Sequence, residues 1–96
     1  MDRKLQEEGW RKFLQLCAET DSPEKCRQLF DLFFTLEEKE TLAKRTFIIE
    51  ALLEGKLTQR EIAETYNISI AQITRGSNAI KIIDDKFRNF LKKLIK

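Results

Sequence analysis

Apolar residues recur along most of this chain at the spacing of a helix that buries one side, and the breaks in the pattern mark out six helices. Trp10, Phe13, Leu14 and Cys17 stand at i, i+3, i+4 and i+7, the template of an amphipathic helix running from about residue 5 to 20. Asp21-Ser22-Pro23 stops it and opens the next. Ser22 can accept from free amides, and Pro23 suits the first helical position, where no donor is needed. Cys26, Leu29, Phe30 and Phe33 then repeat the spacing. The end of this second helix is crowded with Leu32, Phe33 and Phe34, more apolar surface than one small domain usually needs.

Thr35-Leu36-Glu37-Glu38 has the pattern of a capping box, so a third helix runs from Leu36 to about residue 54, where Gly55 supplies a left-handed end. Within it Leu42, Ala43, Phe47, Ile48, Ile49, Ala51, Leu52 and Leu53 spread around much of the circumference. A helix apolar on most sides is buried on most sides. In so short a chain, that predicts a central helix clasped by a second subunit.

Thr58-Gln59-Arg60-Glu61 is a second capping box and opens a short helix over residues 59–66. Asn67 tolerates positive φ, and Ser69 can cap a further helix from Ile70. Two short helices joined by such a turn form a helix-turn-helix, here over residues 59–82. Ala63 is small where the two must cross, and Ile62, Tyr66, Ile68 and Ile73 make the inward face. Ala71, Gln72, Thr74 and Arg75 face outward. Gly76 breaks the pattern: inside a helix it costs about 1 kcal/mol relative to Ala. It either relaxes the helix or leaves room for something to approach the backbone. A last helix follows Asp84-Asp85, with Phe87, Phe90, Leu91 and Leu94 at helical spacing and Lys92, Lys93 and Lys96 complementing the dipole at its end. No stretch alternates with period two beside a turn pair, so the fold is all-α.

Composition sharpens this picture. Ninety-six residues make one domain, residues 1–96, whose small core leaves a monomer marginal. With 42% hydrophobic and 35% charged residues and one Pro, long helices are favoured over disorder. The absence of an apolar leader or membrane-length run leads to the expectation of a soluble, cytoplasmic protein with no membrane partner. Cys17 and Cys26 have no His or further Cys beside them, and are expected to be buried core thiols rather than a disulfide or metal site. With no His, no nucleophile beside a base and no metal cluster, the chain offers no catalytic or metal-ligating set. The net charge of +2 is too small by itself to announce a nucleic acid. The polar face of the helix-turn-helix does so instead: Gln72, Thr74 and Arg75 are types that bond base edges, while Gln59 and Arg60 sit where phosphate would approach. A helical protein-interaction module is the rival class, but interfaces of that kind favour aromatic anchors at their centre.

The strings QREI at residues 59–62 and ITRGSN at residues 73–78, with TLAKRTFIIEALLEG at residues 41–55, resemble the bacterial Trp repressor family in one ungapped register over about residues 32–81. The resemblance implies a six-helix, intertwined homodimer that binds a palindromic double-stranded DNA operator when L-tryptophan is bound as corepressor. No other cofactor is implied. It places the tryptophan pocket at Thr35, Arg45, Arg75, Gly76 and Ala79, with both chains contributing. The arginines would flank the indole and offer a guanidinium to the carboxylate, while Gly76 would let the ligand lie against the backbone. DNA contacts are implied at Gln59, Arg60, Ile70, Ala71, Gln72, Thr74, Arg75 and Lys81. Three departures from the family pattern stand out. Ala79 replaces a serine that helps hold the ligand amine. Ala63 and Gln72 replace a lysine and a threonine on the DNA face, and Ile82-Ile83-Asp84-Asp85 replaces a small-residue and proline linker. Ala79 gives weight to a second reading, a helix-turn-helix regulator that does not depend on tryptophan.

Overall fold

Each helix begins at an Asp, Ser or Thr whose side-chain oxygen accepts a backbone N–H three residues on, satisfying a donor the helix cannot pair itself. The computed structural model describes residues 1–95. Asp2 caps α1 (Arg3–Glu19), Ser22 caps α2 (Pro23–Phe33), and Thr35 caps α3 (Leu36–Glu54). Thr58, Ser69 and Asp84 do the same for α4 (Gln59–Tyr66), α5 (Ile70–Lys81) and α6 (Asp85–Leu94). No strand occurs among the described residues. The all-α, six-helix expectation therefore holds. The differences are at the ends: α1 starts at Arg3 rather than near residue 5, because Asp2 caps it through a 2.9 Å bond from the Leu5 amide.

The chain falls into two compact units, Met1–Lys39 and a second beginning at Glu40. In the first, Phe13 stacks on Trp10 at 5.7 Å and meets the edge of Phe33 at 5.2 Å, with Phe30 and Phe34 beside it. This aromatic cluster is only one side chain deep, and neither α1 nor α2 fully buries a residue. Cys17 and Cys26 are free, as expected, but half-buried rather than in a core, because nothing in this unit closes over them. The Lys39 ammonium bonds the Asp31 carboxylate at 2.8 Å and holds its pKa below the usual range.

The second unit has a true core. Ile48, Ala51, Ile62, Ile68 and Ile73 are buried together, with Leu52, Leu57, Ala63 and Tyr66 packed around them. Burying one such isoleucine stabilises by roughly 1.5–3 kcal/mol. Phe47 lies flat against Tyr66 at 4.8 Å, fixing α3 to the end of α4. α3 also meets α5, at Gly76. A Cβ built on Gly76 would stand 2.5 Å from Cγ2 of the fully buried Ile48, so only glycine lets the two helices meet there.

Gly76→Ala should therefore destabilise the fold by about 1–3 kcal/mol through overpacking, despite a helix-propensity gain of about 1 kcal/mol. Removing the offending methyl with Ile48→Ala should erase most of that penalty in a double-mutant cycle read by urea unfolding. An equal cost in both backgrounds would show that the contact with Ile48 is not the cause.

The capping boxes make a second prediction. Glu38 and Glu61 accept the backbone N–H of Thr35 and Thr58 at 2.8 and 2.9 Å, which lowers their pKa values, with the threonine hydroxyls adding to the effect. A lowered folded pKa gives stability that is present above the unfolded value and lost as pH falls through the folded one, which here lies below the ordinary glutamate range. Glu61→Gln keeps an acceptor oxygen but does not titrate. Its melting temperature should depend less on pH between 3 and 6, on the order of those limits for a carboxylate titration. A melting curve series parallel to the parent protein's would refute the linkage.

Candidate nucleic-acid interface and ligand site

The turn between α4 and α5 is set by one residue, Asn67, at φ 54° and ψ 50°. Its left-handed backbone lets the Asn67 N–H, and then that of Ile68 at 3.1 Å, return to the Ala63 carbonyl. The chain thus reverses direction within three residues and delivers Ile68 into the core. Ser69 then starts α5. Its hydroxyl accepts the Gln72 N–H at 3.2 Å, while the Gln72 side-chain oxygen accepts the Ser69 N–H at 3.3 Å and the Ser69 hydroxyl at 3.0 Å. This is a capping box that the expectation of a Ser69 cap alone did not include.

That box constrains the reading face. Gln72, expected to face outward, is half-buried, and its carbonyl oxygen is spent on the cap. Only its amide NH2 remains to donate. Gln59, Arg60, Ile70, Ala71, Thr74, Arg75 and Lys81 are all exposed, as a surface for DNA requires. Arg60, Arg75 and Lys81 form no ion pair among the described residues. Glu61, the nearest carboxylate in sequence to Arg60, is instead folded back onto the Thr58 amide.

The residues of the expected ligand pocket are distributed unevenly. Arg45 and Gly76 come together: Cδ of Arg45 lies 3.9 Å from where a Cβ on Gly76 would be. Arg45 is half-buried and has no ion-pair partner among the described residues. Beside it is a hollow of about 210 Å³ lined by Leu42, Arg45, Thr46, Ile49, Glu50 and Ile95. Gly76 and Ala79 are not among these lining residues. Arg75 is exposed, and Ala79, one turn further along α5, is half-buried. Thr35 belongs to the first unit, where its hydroxyl is occupied in capping α3. Ile48 was not singled out as a site residue, yet it dictates Gly76. A β-branched residue in one helix signals nothing about a glycine in another until the two are packed.

Among the described residues no group of His, Cys, Asp and Glu could hold a metal ion, and no helix is long and apolar enough to cross a membrane. The family model of the Trp repressor protein matches residues 8–95. A Trp operon repressor homolog of Chlamydia caviae is 53% identical over 94 residues, covering 98% of this chain and 93% of that protein. Its counterpart in Chlamydia trachomatis serovar D is 53% identical over 97% of this chain and 99% of its own length. A more distant homolog from Histophilus somni is 40% identical over 90% of this chain and 81% of its own. Similarity of this extent, on a helix-turn-helix whose polar face carries unpaired cations, means that the chain belongs to the Trp repressor family, whose members are DNA-binding transcriptional regulators and not enzymes.

Proposed function

We propose that this regulator is a tryptophan-dependent repressor: a homodimer that binds a palindromic operator when L-tryptophan is present and blocks transcription of genes for tryptophan synthesis or uptake. The observation that carries the ligand half of this reading is Arg45. Arg45 is half-buried, its stem passes Gly76 of α5 and it has no ion-pair partner among the described residues, so its guanidinium is available to an amino-acid carboxylate. The relatives named as Trp operon repressor homologs point to the same amino acid. A second subunit is supported by the apolar surface left uncovered. Leu32, Leu36, Phe47, Phe87, Phe90 and Leu94 are all exposed, far more than scattered surface residues account for.

Ligand and DNA functions meet at α5. Helix-turn-helix dimers, Trp repressors among them, read half-sites about one DNA turn apart, roughly 34 Å. Tryptophan acts by favouring the arrangement in which the two α5 helices match that spacing, and it can do so only through a higher affinity for that arrangement. Arg75, adjacent to Gly76 and exposed on the outward face, serves both ligand and operator. A second reading, DNA binding without a tryptophan requirement, is favoured by two features. Ala79 has no hydroxyl to hold an amine, and the contact with Ile48 accounts for Gly76 without a ligand.

DNA binding to a set of palindromic operators, with and without each amino acid, separates the readings. Binding that appears only with tryptophan supports the first, binding equal in all cases the second. Arg75→Leu should lose both the tryptophan response and operator binding while remaining folded and dimeric. Normal repression by this variant would refute the assignment. Arg45→Met should weaken tryptophan binding by about 1.5–3 kcal/mol, the worth of a hydrogen bond to a charged group. Calorimetry is the suitable readout, because Trp10 contributes its own fluorescence. Unchanged affinity would remove Arg45 from the pocket.

A further inference from the structure

α5 ends without a left-handed residue. Its C-cap, Ile82, has right-handed backbone at φ −95° and ψ −7°, and the only left-handed residues among those described are Gly55 and Asn67. The last carbonyls of α5 are therefore left to long bonds: Ile82 N–H to Ala79 and Ile83 N–H to Ile80, each at 3.4 Å. A third donor comes from α6. Arg88 Nη2 donates to the Ile80 carbonyl at 2.7 Å, while its Nη1 pairs with Asp85 at 2.9 Å.

This arginine differs from the other cations in ion pairs. Its side chain is 27% exposed, whereas its partner Asp85 is 92% exposed, so the acid is a surface accessory and the carbonyl is the sheltered contact. A guanidinium on the last carbonyls also answers the negative end of the α5 dipole. Only an arginine reaches both groups with one planar fork; a lysine supplies a point charge that can favour one of them. The other face of α6 carries Phe87, Phe90 and Leu94, exposed and with the two rings 5.9 Å apart. In the dimer proposed above, that stripe is what a second subunit covers.

We infer that Arg88 is a positioning residue for the reading helix: it ties the last turn of α5 to α6 and thereby sets the angle at which α5 is presented to DNA. The inference rests on the reading of the chain as a dimeric operator binder. In that reading the connection of three residues, Ile82-Ile83-Asp84, would otherwise let α5 pivot against the dimer body. Arg88 touches neither ligand nor DNA in this role.

The test compares the parent protein with Arg88→Met, which keeps the stem, and Arg88→Lys, which keeps the charge. Each is measured on operators whose half-sites are moved one base pair closer or further apart. The parent should favour one spacing, Arg88→Met should flatten that preference by about tenfold, the worth of one charge-assisted bond, and Arg88→Lys should fall between. Amides in the last turn of α5 should also exchange with deuterium about tenfold faster in Arg88→Met without DNA. An unchanged spacing preference would overturn the inference. So would a uniform loss across all spacings accompanied by a lower melting temperature, which marks a merely structural role. If the parent binds no operator, the proposed function fails instead. The exchange result then decides whether Arg88 locks α5.

Discussion

The contact between Ile48 and Gly76 is the constraint on which the second unit depends. It lets α5 lie against α3 closely enough for Ile48, Ile62 and Ile73 to bury one another completely. With any side chain at residue 76, the Cβ would stand closer to the Ile48 methyl than two carbons can pack, so one of the two helices or Ile48 itself would have to shift. The same closeness brings the Arg45 stem alongside the α5 backbone. A single absent side chain thus lets α3 and α5 pack and brings the stem of Arg45 to α5. Substitutions at Gly76 therefore act on packing, and a second-site change at Ile48 isolates that effect.

The helix-turn-helix is held by local chemistry on either side of that contact. Thr58 with Glu61, and Ser69 with Gln72, close capping boxes at both helix starts, and Asn67 takes the left-handed turn between them. These bonds are exposed and individually modest. Together they fix where α4 ends and α5 begins, and hence which side chains of α5 face outward. They also restrict the surface they create. Gln72 gives its carbonyl to the cap, so any contact it makes with a base is through its amide donor.

The first unit behaves differently. Its aromatic cluster around Phe13 is well formed, yet no residue of α1 or α2 is fully buried. α6 likewise buries nothing completely. Uncovered apolar faces on these amphipathic helices are consistent with the dimer proposed above. The half-buried state of Cys17 and Cys26 follows from the same incompleteness, since each lies on a face with no further layer over it.

What could be read from the chain alone was everything governed by neighbours in sequence. The caps at Ser22, Thr35, Thr58, Ser69 and Asp84, the left-handed ends at Gly55 and Asn67, and the apolar periodicities depend on residues three or four apart, and they specified five helix starts and the helix-turn-helix. The family was legible because ITRGSN is a local string. Tertiary structure decided what depends on residues far apart in the chain. It gave Gly76 its packing reason in Ile48, 28 positions away by their numbering. It brought Arg45 to α5 while leaving Thr35 occupied as a cap. It also supplied Arg88 as the partner for the Ile80 carbonyl. Spacing along a helix predicts which side chains share a face; only the approach of two backbones decides which of them must be absent.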